Sequence, residues 1–220
     1  MEFQKIVEWL DRVLEPEKFD DVSNNGVQID RHSRDVSLVA FAVDASLASV
    51  RNAAAAGAGM LVVHHGISWG GGIKRLTGGT GETVRAAMAA DMALYASHLP
   101  LDAHGKYGNN ALLAAELGLE RLEKAFSYHG NVIGLVGFDP SGRKVGVCSG
   151  GAGEFAVEAK RLGCELFVTG EASWADTIAA ENEGIEMAVK GHYETETYGV
   201  RALAEAMRGE LGVDTVFIDR

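Results

Sequence analysis

Three short stretches of this 220-residue chain gather side chains that can do metal chemistry. The first is His64-His65-Gly66. Imidazole is the commonest protein ligand for transition metals. Adjacent side chains on a regular strand point to opposite faces. Both rings therefore reach one site only where the strand ends and twists at Gly66, unless each serves a different ion. The second stretch is Ser97-His98-Leu99-Pro100-Leu101-Asp102. Asp102 carries a carboxylate able to bind a metal terminally or as a bridge, and His98 is either a ligand or a group that orients one. His104 lies two positions further on. The third is Gly191-His192-Tyr193-Glu194-Thr195-Glu196. His192 and Glu196 are four apart, on one face of a helix. That face continues through Val200, Leu203, Ala204 and Met207, so Glu196 is expected to be buried, whereas Glu194 points elsewhere. A buried carboxylate must be paired, hydrogen-bonded or coordinated. Each stretch also has an ordinary reading: histidines at a strand end, an Asp capping a turn, a Glu facing the open N–H groups of a helix start.

Two weaker features accompany these. Ser149-Gly150-Gly151-Ala152-Gly153 lies where a backbone cradle for phosphate can form, but a short Gly-rich turn is equally a tight connection. Thr169-Gly170-Glu171 ends a strand, making Glu171 a candidate base, an orienting group or a solvated loop residue. Other chemistries lack their signatures: there is no Walker A sequence, no Gly-x-Ser-x-Gly elbow and no Cys-x-x-Cys pair. Cys148 and Cys164 read as buried free thiols. A net charge of −11 argues against nucleic acid as the main partner. The absence of a basic leader and of any apolar run near ~20 residues argues against a membrane and points to a cytoplasmic protein.

The elements that must position these residues follow from periodicity. Phe3, Ile6, Val7, Leu10 and Leu14 form one face of an opening helix that Pro16 ends. A polar turn, 23–26, leads into a short extended piece. Strands are expected over 36–43, 60–64 and 92–96, alternating with helices over 47–56, 82–90 and 109–117. The five glycines of 67–80 read as a loop. A hairpin over 131–138 and 144–148 turns at Asp139-Pro140-Ser141-Gly142. Helices 153–162, 173–182 and 194–208 then alternate with strands 164–169, 185–190 and 213–218. The fold class is α/β: two α/β lobes with largely parallel or mixed sheets flanked by helices. The lobes are placed at 1–125 and 126–220, with residues near the C-terminus able to join the first. Asp44, His64, His65, His98 and Asp102 all fall at or just beyond strand ends, where open α/β sheets gather ligands.

Taken together, Ser23-Asn24-Asn25-Gly26-Val27-Gln28, His64-His65-Gly66, His98 to His104, Gly108-Asn109-Asn110-Ala111, Thr169-Gly170-Glu171 and His192 to Glu196 resemble the Nif-three-like family. Its bacterial members are often labelled GTP cyclohydrolase I type-two homologues. The resemblance spans nearly the whole chain. It implies a two-lobed α/β fold, a dinuclear metal centre between the lobes and a ring-like homo-oligomer, typically a hexamer. It also implies His64, His65, Asp102, His192 and Glu196 as the ligands of two divalent ions, and leaves His98 outside that set. Some relatives carry a second His after the one in the last stretch; here that position is Tyr193. Longer relatives have more chain between the lobes, where this one has only the 131–148 hairpin.

The leading expectation is a metal-dependent hydrolase in which metal-activated water attacks a nucleotide or related substrate. His98 and Glu171 are the candidate proton shuttles. Under the family label the substrate is GTP, and Lys74, Arg75, Lys106 and Lys190 are placed to meet its phosphates. Zinc, iron, manganese and nickel all suit the donor set. The alternative is a non-catalytic metal-binding protein, such as a carrier, sensor or regulatory partner, with the same ligands.

Overall fold

The computed structural model describes all of residues 1–220 and divides them into two units, Met1–Leu101 with Val200–Arg220, and Asp102–Gly199. The sequence reading divided the chain later, at 125/126. Helix α5 (Asn109–Glu116) belongs to the second unit because Leu113 and Ala114 pack with Val145, Val147, Leu166 and Val168 of that unit's sheet.

The first unit is built on a five-stranded sheet, β1 (Gly26–Ile29), β4 (Ala93–Ala96), β3 (Met60–His65), β2 (Leu38–Asp44) and β10 (Asp214–Phe217), in that spatial order. β4, β3, β2 and β10 are parallel, and β1 is antiparallel to β4. Burial on both faces explains why β2 and β3 read as near-continuous apolar runs. One face sends Ala40, Ala42, Leu61, Val63, Leu94 and Ala96 into a cluster with Val50 and Ala53 of α2 (Leu47–Ala55) and Ala87 of α3 (Gly78–Ala89). The small residues on this face let the helices approach closely. On the other face Tyr95 is fully buried, and its hydroxyl donates to Asp11 Oδ1 of α1 (Phe3–Leu14) at 2.8 Å. Ser46 caps α2 by accepting from Ser49 N at 3.0 Å, as its type and position predict.

The second unit carries β5 (Glu120–Tyr128), β6 (Asn131–Phe138), β7 (Lys144–Cys148), β8 (Leu166–Thr169) and β9 (Glu186–Val189) in sequential order. The first two pairings are antiparallel and the last two parallel. α6 (Ala156–Arg161) and α7 (Trp174–Glu183) supply the crossovers. α4 (Leu99–Asp102) is a single turn, and α8 (His192–Leu211) is a twenty-residue helix.

The last strand, β10, pairs with β2 in register Asp214↔Leu38, so the C-terminal residues do join the first unit. The structure corrects two expectations about elements. β5 is a nine-residue strand where none was expected. α3 begins at Gly78, shortening the glycine-rich loop. Gly81 lies so close to the Leu76 carbonyl that a side chain there would collide, so this glycine permits the helix start instead of breaking it.

Candidate metal centre

In the first unit the parallel ladder Asp44↔His65 ends β2 and β3 together and delivers a carboxylate beside an imidazole. His64 is fully buried, and its Nδ1 lies 2.9 Å from the Ser97 carbonyl. A carbonyl only accepts, so Nδ1 carries the proton and the lone pair of the neutral ring sits on Nε2. His65 Nδ1 lies 2.9 Å from Asp44 Oδ1, and His98 Nδ1 lies 2.9 Å from Asp21 Oδ1. All three rings are thus held by the same nitrogen against an oxygen acceptor, the pattern that fixes the tautomer of metal-binding histidines. His64 and His65 do not splay apart as strand alternation would have them. Their centroids are 4.6 Å apart, and His98 lies 5.1 and 5.7 Å from them. One potential ligand atom from each of the three lies within 4.8 Å of the others. His98, which the family resemblance left outside the ligand set, therefore stands in this group.

What holds the group was largely missed by the sequence reading. Asp21 has a side chain only 1% exposed. It accepts from Ser23 N, Asn25 Nδ2, His98 Nδ1 and Leu99 N at 2.9–3.0 Å. Burial alone would raise its pKa. The hydrogen bond and charge of His98, with Asn25 and Ser23, outweigh that and hold it down at about 2. Asn25 Oδ1 in turn accepts from His98 N at 2.9 Å. Gln28 works on the loop after β3: its Oε1 accepts from Ile67 N and Ser68 N at 2.7 and 3.1 Å, and its Nε2 donates to Asn24 O and Ser68 O at 2.7 and 3.2 Å. Gly66 has no side chain because the Gln28 amide fills that space. Trp69 donates through Nε1 to Gly66 O at 2.9 Å and sets its ring edge-on to His98 at 5.2 Å. Asn25 and Gln28 lie in a stretch already singled out, whereas Asp21 lies just before it and carried no local signal.

In the second unit, Asp102 closes α4 and is 7% exposed. Its Oδ1 accepts from Asn109 Nδ2 at 2.8 Å and Ser149 Oγ at 3.2 Å. Asn110 accepts from Ser149 N at 2.7 Å and donates to Ile133 O at 2.9 Å, while Asn109 Oδ1 accepts from Gly199 N at 2.7 Å. Two buried asparagines at the start of α5 thus fix Asp102 against β6, the end of β7 and α8.

His192 and Glu196 share a face of α8 as their spacing predicts, with His192 Nε2 3.1 Å from Glu196 Oε1. Glu196 is 3% exposed. Glu171, from the turn after β8, places Oε2 2.7 Å from His192 Nδ1. The hydrogen bond to Glu196 is the largest influence on His192; burial opposes it, and the Glu196 charge and Glu171 add to it. The imidazole pKa is raised to about 9. Gly150, at φ +66°, passes so close that a Cβ would collide with Glu196 Oε1. The Gly-rich turn makes a close approach to α8, and two of its N–H groups are bonded within the protein, Gly150 N to Thr195 Oγ1 at 3.1 Å and Gly153 N to Glu171 O at 3.1 Å.

Of the four basic residues suggested for phosphates, Lys190 is engaged by Glu116 at 2.9 Å and Lys106 lies over the Tyr107 ring at 4.8 Å. Lys74 and Arg75 are exposed on the loop before α3.

Fold and site together define a class: α/β proteins with two five-stranded mixed sheets, bearing histidine and carboxylate groups able to bind a metal. The chain belongs to the Duf34/NIF3 (NGG1p interacting factor 3) family, whose profile matches residues 1–140 and 120–220. A relative from Archaeoglobus fulgidus, named GTP cyclohydrolase 1 type 2 homolog, is 41% identical over 100% of this chain and 98% of its own. One of the same name from Deinococcus radiodurans is 36% identical over 98% and 92%. Among solved structures, the protein ybgI, titled as of unknown function, superposes with a TM-score of 0.92 at 29% identity, covering 100% of this chain and 98% of the other. TTHA1606 from Thermus thermophilus does so with 0.84 at 31%, with the same coverage. No helix is long and apolar enough to cross a membrane.

Proposed function

We propose that the chain is a metal-dependent hydrolase that binds two divalent ions through His64, His65, Asp102, His192 and Glu196. The observation that carries this reading is the common anchoring of three imidazoles through Nδ1, which directs Nε2 of His64 and His65 to the ligand role and Nε2 of His98 to proton transfer. The donor set fits: nitrogen and carboxylate oxygen suit zinc, iron, manganese or nickel, and no thiolate is present to favour a structural zinc site. Divalent ions in such a site supply Lewis acidity, bringing the pKa of water down toward ~7.

The chain's own residues have separable tasks. Ser97 O and Asp44 hold the tautomers of His64 and His65. His98, backed by Asp21, is the candidate to accept and return a proton. Glu171 was named as a possible proton shuttle; its contact with His192 Nδ1 favours a positioning role. The names of the relatives suggest a nucleotide, GTP, as substrate. A ring-like homohexamer belongs to the same reading.

The alternative, a metal carrier, sensor or regulatory partner, draws on one observation: Lys190 and Lys106 are already occupied within the protein, which thins the cationic surface expected for a triphosphate. Metal analysis of purified protein alongside His64→Ala, followed by a formate-release assay with GTP and by sedimentation, separates these readings. Bound metal that His64→Ala does not lower would sink the ligand assignment. Metal without turnover would favour the alternative, and a monomer would remove the hexamer.

A further inference from the structure

The second unit contains a cavity of about 250 Å³ that no role described so far uses. Asp102 and His104 form one wall; Leu122, Lys124, Val132 and Leu135 form another. This volume is below the roughly 300–1,000 Å³ usual for pockets that take drug-sized ligands, so it suits a single ring system rather than a whole triphosphate. Three features set its chemistry.

The apolar side is open to solvent. Leu122 is 45% exposed and Val132 42%, large values for residues in paired strands. Lys124 lies two positions from Leu122 and opposite Leu135 in the β5–β6 register, so its ammonium shares their face of the sheet. His104 accepts the Lys106 and Tyr107 backbone N–H groups on Nδ1 at 3.1 and 2.9 Å. The backing is firm, because Asn110, also on the lining, is tied to Ile133 O and Ser149 N.

We propose that this cavity seats a compact ring-bearing anion. The ring lies against Leu122 and Leu135, and the carboxylate or phosphate meets Lys124. The seat ends at Asp102, so it deepens the hydrolase reading by naming the substrate class. It rests on that reading for the reaction and not for binding.

The test is titration calorimetry on the full chain, zinc-loaded and after chelation, with two matched pairs of probes: nicotinate with nicotinamide, and guanosine 5′-monophosphate with guanosine. At least one anion should bind about tenfold more tightly than its neutral partner. Lys124→Glu should erase that preference, while Lys5→Glu on α1 should leave it intact. Leu122→Asp should weaken anion and neutral probe alike. Lys124 and Leu122 are exposed, so thermal melting of both variants should match the parent, which separates lost binding from lost fold. Failure of both anions to bind, or a preference that survives Lys124→Glu, overturns the proposal. A Lys124-dependent preference in a protein that hydrolyses nothing would keep the seat and remove the hydrolase reading. Formate release from GTP without such a preference would do the reverse.

Discussion

The two units hold their metal-capable side chains by opposite means. In the first, three imidazoles stand at or just beyond the ends of β3 and β4 and are anchored by oxygen acceptors, one of them a backbone carbonyl and one a carboxylate whose side chain is 1% exposed. In the second, His192 begins a helix and is clamped between two carboxylates, one buried and one 66% exposed. The first arrangement fixes tautomers before any ion arrives, at the cost of burying a carboxylate that needs four donors. The second holds its imidazole between carboxylates that raise its pKa to about 9, so an ion bound there would have to displace a proton, and it depends on charge balance more than on backbone geometry. A rigid half and an electrostatically held half respond differently to substitution, and that difference can be measured.

The largest effect is expected from His64→Ala. Deleting a fully buried imidazole should reduce metal affinity by more than about a hundredfold, read by equilibrium dialysis and mass spectrometry of the metal. Retained affinity would mean that the first unit is not a metal half at all. Next is Asp21→Ala, which strands Ser23 N, Asn25 Nδ2, His98 Nδ1 and Leu99 N. It should cost about 2–4 kcal/mol in urea denaturation. A loss under about 1 kcal/mol would show that the anchoring is not structural. Gly150→Ala combines a left-handed backbone with a collision against Glu196 and should cost about 1–3 kcal/mol. Gly142→Ala has a similar φ, +88°, but open space around it, and should cost about 1 kcal/mol. Equal losses in the two would remove the close-approach argument. The smallest effect belongs to Glu171→Gln. Its exposed side chain predicts a stability change within about 0.5 kcal/mol and a less than tenfold loss of metal affinity, roughly the lower edge for a group that orients a ligand. A larger loss would make Glu171 more than a positioning residue.

How much of this was legible in the sequence depended on whether the cause was local. The β6–β7 hairpin was read at its true ends, Asn131–Phe138 and Lys144–Cys148, because its turn carries its own chemistry. Asp139 Oδ1 accepts from Ser141 N and Arg143 N at 2.9 and 3.0 Å. β5 escaped because its first five residues are exposed and mostly charged, and because Arg121 and Phe126 interrupt it at φ +52° and +61°. Its strand character comes from pairing with β6, which periodicity does not register. β10 was legible as a strand but not as a partner of β2, since apolar alternation names a face and not a neighbour. The same holds at the candidate site. The i,i+4 pair His192 and Glu196 could be read from helix geometry, whereas Asp21 meets His98 across 77 positions and had nothing nearby to announce it.

Gln28 gives the glycine-rich segment after the histidines two different clocks. Its side-chain amide stands in for a neighbouring strand along Ile67 and Ser68. Amide protons there should exchange with solvent slowly, as they do inside a sheet, while those of the exposed stretch from Ile73 to Leu76 exchange freely. A protease given the folded chain should therefore cut the second part of the segment and spare the first, leaving the histidine end of β3 attached to its brace.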